Sequence, residues 1–372
     1  MKKNKKVLEL VLKKIERQYK DDISLLVLYG VNRNKVLNDL SGIDFYFIPK
    51  NEKGKSLSFQ FIIEDVSYDL FPMSWDRLIQ NAALDSPQAY LLTESDVVYS
   101  SSDEDLARFN KLKEDVSIVQ TKEYAPALLN KAYEYFNEVY IYLYNMNLPS
   151  TTLLDVRIES SKVLSKIANA IGFVNQTYYD GGNGSTTSIY AESLELKKTP
   201  VNYESLLRGI ISANSKKDIV DQTEALVKST RDFLLIKKKR HAQIEPFETF
   251  FKGYYEELKE ILNRFNYACE VKDQLKLFAL ASYIHEELSQ FMMKVESGLW
   301  FDDRNYYSEY SKVFDEYFGI NLLDLVAKKD YNGLKEAITT FEHSFINLLS
   351  ENDITLAIYS SIEDFEIDFM SE

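Results

Sequence analysis

Leu28-Tyr29-Gly30, the intervening residues 31–41, Gly42-Ile43-Asp44-Phe45 and then Tyr68-Asp69-Leu70-Phe71 are the stretch whose reading decides the fold. Residues 23–29, Ile-Ser-Leu-Leu-Val-Leu-Tyr, make an apolar run that stops at Gly30, as a buried strand does. Ile43-Asp44-Phe45-Tyr46-Phe47-Ile48 reads as a second strand, closed by Pro49 and the turn-rich segment Asn51-Glu52-Lys53-Gly54-Lys55. Two further β-favouring runs, 58–63 and 66–72, are separated only by Glu64-Asp65 and read as a tight hairpin, although that pair lacks the glycine of the best two-residue turns. Asp44 and Asp69 thus stand inside strongly apolar strands, where an unpaired carboxylate is costly and a site is a reason to keep it.

Outward from this stretch, the spacing predicts an opening amphipathic helix, a helix over 74–83, a short strand at Val97-Val98-Tyr99, and a helix opened by Ser102-Asp103-Glu104-Asp105. Beyond about residue 122 apolar residues recur at three and four, as in Tyr133, Phe136, Tyr140 and Tyr144. Helices are expected at 154–178, 203–239, 245–268, 271–296 and 332–350, followed by an acidic tail of Glu363, Asp364, Glu366, Asp368 and Glu372. The glycine-rich patch Asp180–Ser188 reads as a loop between helices; no lysine-serine or lysine-threonine follows it, so it lacks the pattern of a phosphate cradle. The expected fold is α+β: a small mixed sheet with flanking helices over 1–118, a helical domain over 119–242, and a second helical domain or extension over 243–372.

Composition narrows the function. With 44 basic against 58 acidic residues the net charge is −14, which repels duplex nucleic acid unless basic residues gather in one place. The N-terminal lysines alternate with Val7, Leu8, Leu10, Val11 and Ile15, so they read as the solvated face of a helix, and Lys237-Lys238-Lys239-Arg240 suits a helix C-terminus. The single cysteine, Cys269, excludes an internal disulfide and reads as a buried small hydrophobe. No signal-peptide pattern and no long apolar run is present, so a cytoplasmic location and no membrane partner are expected. His241, His285 and His343 are too far apart for a local metal motif. Tyr254, Tyr255, Tyr306, Tyr307, Tyr310 and Tyr317 fall at helical spacings and read as core.

The opening stretch resembles the nucleotidyltransferase superfamily, whose motif is a hydrophobic residue, glycine and a serine or glycine, a loop of this size, acid-hydrophobic-acid on a strand, and a third acid on the adjacent strand. Gly30 matches the motif glycine, Asp44 the second acid and Asp69 the third. Val31 and Gly42 depart from the pattern, and Gly42 stands where the first acid belongs. Residues 66–78 look like the third-acid strand and following helix of bacterial kanamycin-type nucleotidyltransferases. Residues 157–179, with Arg157, Glu159, Ile167, Ile171 and Asn175, are similar to the helical region that follows them.

The resemblance implies transfer of a nucleoside monophosphate from an NTP to a small-molecule hydroxyl with Mg²⁺. Asp44 and Asp69 would be the metal ligands and catalytic carboxylates, and Glu159 the general base on the acceptor. Gly30, Asn32, Arg33, Lys35 and Ser41 would contact the nucleotide phosphates, and Asp39 is the nearest acid to replace the missing one. The alternative is a degenerate module of the same fold that binds nucleotide or protein, with the helical region serving a protein partner or self-association. A helical scaffold with an unrelated α/β domain is the third reading.

Overall fold

The computed structural model describes residues 2–29, 42–85, 88–179, 189–299, 314 and 316–370. Ile23–Tyr29 (β1), Asp44–Pro49 (β2), Phe59–Ile63 (β3), Val66–Pro72 (β4) and Ser95–Ser100 (β5) form one mixed sheet in the order β3-β4-β2-β1-β5. β2 and β4 run parallel, and every other neighbouring pair is antiparallel. The central strands are apolar on both sides because both faces of the sheet are covered. Leu26, Phe45, Phe47 and Tyr68 pack with Val7, Val11 and Ile15 of α1 (Lys2–Lys14) and the π-helical turn that continues it, and the Tyr68 hydroxyl donates to Asn4 Oδ1 at 2.9 Å. On the other face Leu25, Val27, Tyr46 and Ile48 join the core of the following helices.

The further helices of this part of the chain are α2 (Glu52–Lys55), α3 (Trp75–Ala82), α4 (Tyr90–Thr93), α5 (Asp103–Val119), α6 (Ala125–Asn137), α7 (Val139–Met146), α8 (Leu153–Val174), α9 (Ile189–Leu194), α10 (Tyr203–Ser212) and α11 (Lys216–Lys239). Their starts follow local capping chemistry. The side chains of Ser74 and Ser102 accept from the main-chain N–H groups of Arg77 at 3.2 Å and Asp105 at 3.1 Å, and Thr152 with Asp155 closes a capping box on α8. The helix expected over 203–239 is interrupted: Ala213 is extended, and Ser215 caps a new start by accepting from Asp218 N. Asn51–Lys55 is a single helical turn capped by Asn51, not an open turn. Tyr144, expected on the core face, is 67% exposed.

By the compactness of its contacts the chain divides into Met1–Lys237 and Lys238–Glu372. The first unit holds the sheet and the helices through most of α11, with one continuous core running from Leu25 to Leu234. In the second, α12 (Glu248–Phe251), α13 (Tyr254–Glu270) and α14 (Gln274–Ser297) are followed by helices over Leu322–Lys328, Tyr331–Glu351 and Ile362–Phe369. The helix expected over 245–268 breaks at Gly253, whose φ of +77° only glycine takes without strain. Tyr254 and Tyr255 are buried there, as the helical spacing implied, whereas Tyr317 is partly exposed; Tyr306, Tyr307 and Tyr310 lie outside the described residues. Cys269 is buried, and burial pushes its thiol up to about 11. His285 stacks on Phe314 with ring centroids 3.7 Å apart, and its Nε2 accepts from Leu322 N. Glu363, Asp364, Glu366 and Asp368 of the acidic tail lie on the helix Ile362–Phe369, which buries no residue, and Glu372 lies outside the described residues. Among the described residues no helix is long and apolar enough to cross a membrane.

The hairpin joining β3 to β4 turns on Glu64 and Asp65, at φ +49° and +66°. Both central residues are left-handed, the type I′ geometry that asparagine and glycine adopt most readily. Replacing the pair by Asn-Gly is therefore expected to stabilise the chain by about 1 kcal/mol, measured as a raised urea midpoint with an unchanged slope.

Candidate functional site

Parallel pairing of β2 with β4 sets Asp44 directly beside Asp69, with Phe45 beside Leu70 and Tyr46 beside Phe71. Neighbouring strands lie about 4.8 Å apart, so the two carboxylates share one face at close range. That face also carries Tyr46 and Phe71, and Tyr29 of β1 stands opposite Asp44 in the antiparallel register. Two of the sequence-derived candidates, Asp44 and Asp69, are thus brought together by the sheet.

An aromatic wall lines these carboxylates. The Tyr29 ring lies 5.8 Å from Tyr46, 6.0 Å from Phe71 and 6.4 Å from Tyr90 between centroids. Tyr46 is fixed by its hydroxyl, which donates to the Leu91 carbonyl at 2.7 Å. Burial raises the Asp44 pKa, and the charge of Asp69 raises it further. The Tyr29 hydroxyl is pushed well above its ordinary range, first by burial and then by the charge of Asp44. Oδ1 of Asp69 is buried and has no hydrogen-bond partner among the described residues. A cation between the two acids would relieve both conditions.

The carboxylate pair suits one Mg²⁺, which keeps several waters and takes one or two carboxylates. Among the described residues no group of three acids, histidines or cysteines gathers, so the pair by itself lacks the further ligand that a two-metal centre needs. The main chain explains the missing ligand. A Cβ built on Gly42 would lie 2.0 Å from the carbonyl oxygen of Ser67 and 3.3 Å from Val66 Cγ1. The chain entering β2 presses against β4 itself, so position 42 has no room for a side chain and would aim one at a backbone oxygen.

Glu159 lies on α8, where its carboxylate takes the Lys162 ammonium at 2.5 Å and the Asn145 amide at 3.2 Å. Among the described residues no hydrogen bond or ion pair connects it to Asp44 or Asp69. Arg157, two residues earlier, donates to the Ala213 carbonyl at 2.8 Å and holds the end of α10. Gly30, Asn32, Arg33, Lys35 and Ser41, together with Val31 and Asp39, lie outside the described residues. Sequence reasoning missed Tyr90 and the short helix that carries it, for which four residues offer no periodicity. Tyr29 was inside the motif and could have been noticed, since antiparallel pairing of consecutive strands puts the end of one beside the start of the next.

Residues 106–239 match the family described as the KNTase C-terminal domain. No curated protein matches the chain. A solved nucleotidyltransferase-like protein from Exiguobacterium sibiricum 255-15 aligns with 68% of this chain and 87% of its own, at 13% identity and a TM-score of 0.31. The chain resembles the nucleotidyltransferase superfamily, with the family match lying in the helical segment and the paired acids in the sheet before it.

Two expectations follow from the site. Gly42→Asp should cost about 1–3 kcal/mol of stability by overpacking against β4 and should add no Mg²⁺ affinity, as checked by denaturation and metal titration. Asp44 has a folded pKa above its unfolded value. Its contribution to stability is therefore fully present below the unfolded pKa and lost as pH rises through the folded one. Asp44→Asn should melt at a higher temperature than the parent at neutral pH, with the difference closing toward acid; equal melting at neutral pH would refute this.

Proposed function

We propose that the chain is a nucleotidyltransferase-like module that binds an NTP together with a single Mg²⁺ held by Asp44 and Asp69. The observation that carries this reading is the side-by-side register of the two acids on parallel strands, with a buried Asp69 oxygen left unpartnered. When bound, the cation would offset the negative charge of the phosphate oxygens. Asp44 and Asp69 would hold it from one face, and both must be ionised to do so. Arg33 and Lys35 of the intervening loop are assigned to the phosphates, which arginine and lysine neutralise without a metal. Gly30, Asn32 and Ser41 complete the proposed nucleotide contacts. The closure of the main chain over Gly42 favours binding over two-metal turnover.

A second reading is transfer of a nucleoside monophosphate to a small-molecule hydroxyl, with Glu159 as general base. The match of residues 106–239 to the KNTase C-terminal domain favours it. In this reading Glu159 must leave Lys162 and Asn145 to take the acceptor proton.

Calorimetric titration with ATP, GTP, CTP and UTP, with and without Mg²⁺, tests the proposal. Mg²⁺-dependent binding is expected, weakened at least about tenfold in Asp44→Asn/Asp69→Asn and without pyrophosphate release when hydroxyl acceptors are added. If no nucleotide binds, the proposal fails. Pyrophosphate release that disappears in Glu159→Gln, with binding intact, would establish the second reading in its place.

A further inference from the structure

The two edges of the sheet are built differently. β5 carries Asp96 and lies beside α5, whose Lys113 donates to the Ser95 carbonyl at 2.8 Å. β3 is Phe59-Gln60-Phe61-Ile62-Ile63, with no charge and no proline, and it ends the sheet with β4 as its single neighbour. Ile62 is 72% and Phe59 58% exposed. Native sheets blunt such an edge with charges, prolines, bulges or a covering element. Among the described residues β3 has none of these.

The hairpin determines which main-chain groups are open. A two-residue type I′ turn at Glu64-Asp65 makes the flanking Ile63 and Val66 a hydrogen-bonded pair, in keeping with their register. Alternation then directs the N–H and C=O of Gln60 and Ile62 away from β4 and into solvent.

We propose that β3 pairs antiparallel with β3 of a second copy of this chain, about a two-fold axis at Phe61, so that two sheets become one. Gln60 exchanges both main-chain hydrogen bonds with the partner's Ile62, and Ile62 does so with the partner's Gln60, which satisfies the outward groups of both strands. Phe61 then meets the partner's Phe61 in a non-hydrogen-bonded pair, where side chains come closest, and Phe59 meets the partner's Ile63. Aromatic and β-branched neighbours of this kind are favourable cross-strand pairs.

The aromatic rings are already arranged for this pairing. Phe59 stacks on Phe61 at 5.4 Å, and Phe61 on Tyr68 at 5.2 Å, so a partner strand prolongs an existing ladder. Charge agrees with the same register. The Lys14 ammonium lies 5.9 Å from the Phe59 ring, at the end of the strand that receives the partner's Ile63 and Asp65. Glu64 is occupied by Lys3 of its own helix. The arrangement is isologous and closes at two chains, because each β3 is used up by the other.

Sedimentation velocity and hydrogen exchange on the full chain test the inference. A dimer of the 43.2 kDa chain is expected, with the amides of Gln60 and Ile62 protected in the dimer and exchanging freely on dilution. Ile62→Lys should raise the dissociation constant at least about tenfold without lowering the melting temperature of the monomer, since the side chain is exposed. A chain that stays monomeric across a wide concentration range overturns the proposal. So does a dimer that tolerates Ile62→Lys and leaves those two amides unprotected, or an assembly that does not close at two chains.

Discussion

Parallel pairing of β2 on β4 forces two carboxylates onto neighbouring main chains in a setting that is otherwise aromatic and largely buried. Two carboxylates side by side on adjacent strands repel more strongly as water is withdrawn. Tyr29, Tyr46, Phe71 and Tyr90 withdraw it here. The sheet therefore holds its acids under electrostatic tension, and the raised pKa of Asp44 and the unpartnered oxygen of Asp69 are two signs of the same condition. A purely structural sheet gains nothing from that arrangement, whereas a cation site depends on it.

The same pairing removes the third acid. Because β2 and β4 come together tightly from Gly42 onward, the residue two positions before Asp44 is pressed against Ser67 and not raised above the sheet face. Glycine at 42 is thus a requirement of the backbone path as well as a lost ligand. A simple reversion to an acid would not rebuild the motif, since the obstacle is a main-chain carbonyl that no rotamer change can move aside.

The strands were legible in the sequence because their signal is local: β1 and β4 end where Gly30 and Pro72 stop them, and the order of apolar runs carried the hairpin as well. Asp44 and Asp69 were conspicuous as acids in apolar strands, and the resemblance to the nucleotidyltransferase motif implied that their strands are neighbours. The closure at Gly42 was not, because it depends on how two strands approach and not on which residues they contain. The helical region shows the complementary limit. Periodicity found α8 and α14 to within a few residues, but Ala213 and Gly253 break helices whose apolar pattern runs on past them. A single extended residue and a serine cap suffice to restart a helix without disturbing the pattern on either side. Glu159 was legible as a residue but not as a partner of Lys162 and Asn145, which comes from how α7 and α8 face each other.

β4 links the site to the open edge of the sheet. On one side it carries Asp69 next to Asp44, and on the other it pairs with β3, where Gln60 stands opposite Asp69. Gln60 is also one of the two residues whose main-chain groups face outward from the edge. An edge strand with half its hydrogen bonds unmade frays more easily than a central one, and fraying of β3 would loosen the strand that positions Asp69. A second strand laid along β3 would leave β5 as the free edge of each half of a continuous sheet, with β4 the fourth strand in from it. The precision of a two-carboxylate cation site depends on the rigidity of the elements that hold it, so in this fold an edge contact and the site are mechanically connected through a single strand.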